Sequence, residues 1–95
     1  MFHVYLHKNP NTNEVFYVGK GCKKRAFAKH NRNKYWKNKV ISYGGFCVDF
    51  VVRDADEEFA FLVEKEVIDL YKRVGCKLAN ISDGGDGPAG FKQIS

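Results

Sequence analysis

The 95-residue chain is poor in cysteine and proline and has no long apolar run. Cys22, Cys47 and Cys76 are odd in number and far apart, which excludes a complete internal disulfide framework and points to a reducing compartment. None belongs to a C-x2-C pair, so the spacing of a structural zinc site is missing. No segment approaches the ~18 consecutive apolar residues of a membrane-spanning helix, and no membrane partner is expected. Met1-Phe2-His3-Val4-Tyr5 does not have the basic region and apolar stretch of a secretory signal, so a cytoplasmic location is expected. Acidic residues are absent from Lys20 to Lys39 and gather instead between Asp49 and Asp69.

What fills the acid-free stretch is positive charge: Lys20, Lys23, Lys24, Arg25, Lys29, Arg32, Lys34, Lys37 and Lys39. The net charge is +5 and the pI about 9.2. Phe27, Tyr35 and Trp36 are interleaved with these basic residues, a mixture that suits a polyanion, most simply the phosphates of nucleic acid. The alternative is a solvated pair of basic helices. With 44% hydrophobic and 15% aromatic residues, the chain can build one small packed domain.

Phe2-Val4-Leu6 alternates with His3-Tyr5-His7, the period of a strand with one core face, which places Tyr5 on the accessible side. Asn9-Pro10-Asn11-Thr12-Asn13 is a turn cluster, and Val15-Phe16-Tyr17-Val18 follows as a second strand, giving a hairpin that brings Tyr5 near Tyr17. Gly19 and Gly21 bracket Lys20 where small residues allow a backbone or ligand to approach. Two short basic helices are predicted over 23–31 and 35–43, the second stopped by Gly44-Gly45. Residues 46–52 read as a third strand. Asp54 is a candidate N-cap, with Glu57 three residues on, for a helix running to about Val74. The expected architecture is a small α+β domain over 1–80, its three-stranded, largely antiparallel sheet flanked by about three helices. Residues 81–95 read as a glycine-rich loop or linker.

Glu64 stands out chemically because Ala60, Val67, Ile68 and Tyr71 share its helical face, so the carboxylate points into the protein body. A buried carboxylate must meet a cation, either a basic side chain or a metal. Arg25 carries a planar donor fork suited to a phosphate gaining charge, and equally to contact with a DNA backbone. Tyr5 and Tyr17 are either sheet aromatics or acid–base groups. A phenol of ordinary pKa is only ~0.1% ionised at pH 7, so a basic role needs a cation, Lys20 or a histidine such as His30 nearby.

His3-Val4-Tyr5 and Tyr17-Val18-Gly19-Lys20-Gly21, followed by Arg25, His30, Glu64-Lys65-Glu66-Val67-Ile68 and Leu78-Ala79-Asn80, resemble the GIY-YIG endonuclease superfamily over nearly the whole chain. The likeness is greatest to its phage and intron homing-endonuclease branch, where segments like Arg32-Asn33-Lys34-Tyr35-Trp36 also recur. The resemblance implies a DNA endonuclease that uses one Mg²⁺ or Mn²⁺ ion and leaves 5′-phosphate and 3′-hydroxyl ends. It implies Glu64 as metal ligand, Arg25 as stabiliser of the pentavalent phosphate and Tyr5 as general base. Tyr17 would position water or phosphate, Lys20 and His30 would assist, and Asn80 would anchor the site. Gly19, Gly21, Lys23, Lys24, Lys29, Arg32, Lys34, Trp36 and Lys37 are then the expected nucleic-acid contacts. His3 stands where the family's first glycine usually lies and Val18 where isoleucine does. His30 follows Arg25 by five residues rather than the usual four, and Lys29 holds the i+4 position. A separate C-terminal DNA-binding module usually follows in that branch. The corresponding location is the host cytoplasm for a phage protein.

Overall fold

The computed structural model describes residues 1–80; the predicted glycine-rich segment 81–95 lies outside the described residues. Strands β1 (Phe2–Lys8) and β2 (Val15–Cys22) form the expected hairpin, and β3 (Cys47–Ala55) pairs with the other edge of β1. The sheet is antiparallel throughout, in the order β2-β1-β3. Helix α1 (Lys34–Tyr43) lies between β2 and β3 in sequence, and α2 (Glu57–Arg73) follows β3. The protein is thus a small α+β domain with two helices and one 3-10 turn among the described residues. None of its described helices is long and apolar enough to cross a membrane.

β1, the central strand, has both edges paired, and both of its faces are covered as well. Val4 and Leu6 pack with Val15, Val18 and the α2 residues Ala60 and Ile68, forming the larger core. The other face was expected to be accessible, yet Tyr5 is 1% exposed and His7 0%. Phe16, Trp36 and Ala79, with Tyr17, Val40, Tyr43 and Phe46 beside them, form a second core on that side. A bulge explains how Phe16 and Tyr17 both belong to it. The register jumps from His7↔Tyr17 to Lys8↔Val15, leaving Phe16 as the extra residue, so strict alternation is broken and Val15 and Val18 turn to the α2 side.

Helix ends follow their capping chemistry. Asn33 caps α1 by accepting from Trp36 N–H at 2.8 Å, and Gly44 closes it in the left-handed region at φ 79°. The N-cap of α2 is Asp56, which accepts from Phe59 N–H at 2.8 Å, not the predicted Asp54. Asp54 is still in β3, where its backbone N–H donates to His3 Nδ1. The predicted helix over 23–31 is also corrected: only Arg25–Phe27 form a 3-10 turn. Nearby carbonyls are taken by side chains, Ala26 by His7 and Ala28 by Arg32, and Asn31 turns back at φ 56°. These bonds replace the helical ladder.

Candidate active site

The tyrosine face of the hairpin is built by register. Tyr5 pairs with Gly19, His7 with Tyr17 and His3 with Gly21, and side chains of paired residues share a face. Gly19 and Gly21, two residues apart, therefore leave a bare lane along the edge of β2. The Tyr5 ring lies across Gly19, where an added Cβ would stand 2.5 Å from Oη. The Arg25 stem lies over Gly21, where an added Cβ would stand 2.5 Å from Cγ. The glycines were expected to let a backbone or a ligand approach, and what lies against them is the side chains of Tyr5 and Arg25.

His7 is the hub of the face. Trp36 Nε1–H can only donate and the Ala26 carbonyl can only accept, so the bonds at 2.8 Å to Nδ1 and 2.7 Å to Nε2 fix the neutral Nε2–H tautomer. Burial is the main cause that pulls its pKa from 6.5 to about 4, and the nearby Arg32 and Arg25 charges act in the same direction. Its ring stacks on Tyr17 at 5.5 Å and meets Tyr5 at 5.0 Å, so it spaces the two tyrosines. Sequence reasoning gave His7 no role. The available signal was the third aromatic at period two after His3 and Tyr5, on a strand that proves to be central.

Arg32 was expected on the nucleic-acid surface and is instead buried, 7% exposed. Its Nη1–H donates to Tyr5 Oη at 3.0 Å, Nη2–H to the Arg25 carbonyl at 2.7 Å and Nε–H to the Ala28 carbonyl at 3.0 Å. The guanidinium sits between the rings of Tyr5, Tyr17 and Trp36, at 5.7, 5.5 and 5.4 Å. Trp36, also expected to touch nucleic acid, is 2% exposed and belongs to the second core because its indole N–H is committed to His7. Among the remaining expected contacts, Lys23, Lys24, Lys29, Lys34 and Lys37 are exposed.

Arg25 spends two of its five donors on the carbonyls of His30 and Asn31, both at 2.8 Å. The His30 ring itself is on an exposed residue, and it is the His30 backbone that Arg25 engages. Lys20 pairs with Val4 in register and therefore faces the α2 side, away from the tyrosines. Its ammonium lies over Phe2 at 5.1 Å and Phe61 at 5.8 Å, and 3.7 Å from the Glu57 carboxylate.

Tyr17 is pushed up to about 12, first by burial and then by Tyr5; Glu64 adds to the rise while Arg32 opposes it. At neutral pH its hydroxyl is a proton donor. Glu64 sits at 5% exposure between Ala60 and Ile68 on the buried face of α2, and it acts on Tyr17 through its charge. Asn80 clips the free edge of β2 with both halves of its amide: Oδ1 accepts from Val18 N–H at 3.0 Å and Nδ2–H donates to Val18 C=O at 2.7 Å. Ala79 N–H adds a bond to Phe16 C=O at 2.6 Å, and Asn33 holds the Ala79 carbonyl at 2.9 Å. The outer edge of the strand carrying Tyr17 is thereby paired at Phe16 and Val18, on either side of it.

No group of three or more His, Cys, Asp or Glu side chains gathers as a metal cage among the described residues. One buried carboxylate fits a hard ion that retains most of its waters and takes further oxygens from a phosphate. It does not fit tetrahedral zinc. No protein-family model, curated protein or solved structure matches the chain.

Proposed function

We propose that this domain is a metal-dependent DNA endonuclease of the GIY-YIG kind, homing-type or small phage-type, that nicks duplex DNA and leaves 5′-phosphate and 3′-hydroxyl ends. The observation that carries the reading is the packing of Tyr5 against Gly19 and Arg25 against Gly21 along one bare lane beside Tyr17. Two phenols and a guanidinium converge there next to an exposed run of lysines that suits phosphate.

In this reading Tyr5 acts as its phenolate, its own proton having passed to solvent, and the Arg32 guanidinium is bonded to the phenolate oxygen. Oη takes the proton of the attacking water as the new P–O bond forms, the bond to the 3′-oxygen breaks and that oxygen takes a proton from solvent. Tyr17, protonated at neutral pH, donates to water or to a phosphate oxygen. Arg25 has three donors beyond those given to His30 and Asn31, and these face the charge gained by the phosphate in the transition state. Glu64, which lies on α2 and reaches Tyr17 through its charge, would hold one Mg²⁺ or Mn²⁺ ion, and that ion would supply Lewis-acid stabilisation of phosphoryl oxygens. Asn80 keeps the Tyr17 strand in place. A single site of this kind cuts one strand per encounter.

A catalytically idle nucleic-acid-binding module of the same fold is favoured by one feature, the commitment of two Arg25 donors to backbone carbonyls. End-group analysis separates the two. Incubation of a labelled duplex with Mg²⁺ should yield 5′-phosphate and 3′-hydroxyl ends from the wild type and none from Glu64→Gln, while both bind the duplex. Binding without scission by the wild type, on nicked, branched and intact duplexes alike, would establish the idle module.

A further inference from the structure

Arg25 and Arg32 clasp one another's chain. Arg32 grips the carbonyls of Arg25 and Ala28, and Arg25 grips those of His30 and Asn31, the two residues just before Arg32. The loop from 25 to 32 is thus closed on itself by two guanidinium forks. Arg32 has a third bond, and it leaves the loop for Tyr5 Oη, 27 positions away in sequence. A guanidinium is planar, so its three directions are fixed relative to one another.

We propose that Arg32 is a positioning residue that sets the Tyr5 hydroxyl and the Arg25 backbone in one fixed relation, so that base and phosphate stabiliser approach the same scissile phosphate. The proposal rests on the endonuclease reading and extends it to a residue buried beneath the site. Three features make the placement rigid. The side chain is almost wholly buried, it is wedged among the rings of Tyr5, Tyr17 and Trp36, and its bonded donors run to three separate acceptors. A flexible cation on the surface could offer phosphate the same charge, but it could not fix two groups relative to each other. Displacement of a catalytic group by about 1 Å costs on the order of 100-fold in rate. Removal of this brace is expected to act through that displacement and not through weaker phosphate affinity.

The test compares the wild type with Arg32→Lys, which retains the charge and cannot span three acceptors. Three quantities are measured: the single-turnover nicking rate on plasmid with Mg²⁺, the affinity for a duplex by anisotropy, and the ¹³Cζ signals of labelled tyrosines. The expected result is a nicking rate lower by about 100-fold, affinity changed less than about 3-fold, a displaced Tyr5 signal and an undisturbed signal from exposed Tyr35. Nicking by Arg32→Lys at the wild-type rate, or an equal loss of rate and affinity, would overturn the positioning role. Should the variant not fold, Tyr5→Phe removes only Oη. A shifted Arg32 Nη signal in that variant is expected, and an unshifted one refutes the contact. A wild type that binds duplex yet never nicks with Mg²⁺ or Mn²⁺ overturns the endonuclease reading itself, and the positioning role with it, even where the Tyr5 signal moves.

Discussion

Acidification should weaken this protein through His7. In the unfolded chain the imidazole protonates near pH 6.5, whereas in the folded protein it remains neutral to about pH 4. Between those values the unfolded state binds one more proton, so stability falls as pH falls, by about 1.4 kcal/mol per unit. The contribution is fully present above pH 6.5 and is exhausted near pH 4. From pH 7 to pH 5 the loss assigned to His7 is about 2 kcal/mol, and over the whole window about 3 kcal/mol. The structural cause is double: the ring is fully buried, and protonation of Nδ1 would set two N–H groups, its own and that of Trp36, against each other. Urea denaturation at half-unit steps from pH 7.5 to 4.5 measures the effect, with His7→Gln as a reference that cannot titrate at this position. The wild type should lose about 2 kcal/mol more than the variant between pH 7 and pH 5. Equal pH dependence of the two proteins would refute a buried neutral imidazole at position 7.

Other perturbations have equally definite outcomes. Gly19→Ala drives a methyl group into the Tyr5 ring; it should displace that ring, destabilise the domain by about 1–3 kcal/mol in urea titration and abolish nicking. Asn80→Ala removes both bonds to Val18 and should cost about 2 kcal/mol, with faster hydrogen exchange at the Val18 amide, which then faces solvent at a sheet edge. Asn33→Ala loses the α1 cap and the donor to Ala79, for about 1–2 kcal/mol by the same titration. Neutralising Lys34 and Lys37, both exposed, should flatten the dependence of log affinity on log salt by roughly 1 for every phosphate no longer neutralised, leaving stability unchanged within about 0.5 kcal/mol.

Local signals were legible wherever a short stretch of sequence determines the result. The hairpin follows from one alternating run and one short apolar run about a turn cluster, and α1 stops at Gly44 as the glycine pair requires. The buried stripe of α2 at Ala60, Glu64 and Ile68 is likewise a matter of four-residue spacing. The features that sequence does not reveal depend on partners distant in the chain. His7 is defined by Ala26 and Trp36, 19 and 29 positions away, and Arg32 by Tyr5, 27 away. In isolation, Arg32 is indistinguishable from the exposed lysines around it. The absence of a helix over 23–31 has this origin in part, since the remote His7 takes the Ala26 carbonyl, while Arg32, four residues on, takes that of Ala28 with its side chain. Tyr5 reads as accessible because alternation describes a strand covered on one face, whereas the second face of β1 is roofed by Trp36 and its neighbours.

The most direct trial of the endonuclease reading is conversion of supercoiled plasmid to the nicked circle by the wild type and by Glu64→Gln, each with Mg²⁺, Mn²⁺ or EDTA. Nicking by the wild type with either metal, abolished by EDTA and by the substitution while duplex binding persists, is the predicted result. Scission that survives both EDTA and Glu64→Gln would contradict the assignment of Glu64 to the metal, and absence of metal-dependent scission in the wild type would contradict the endonuclease itself.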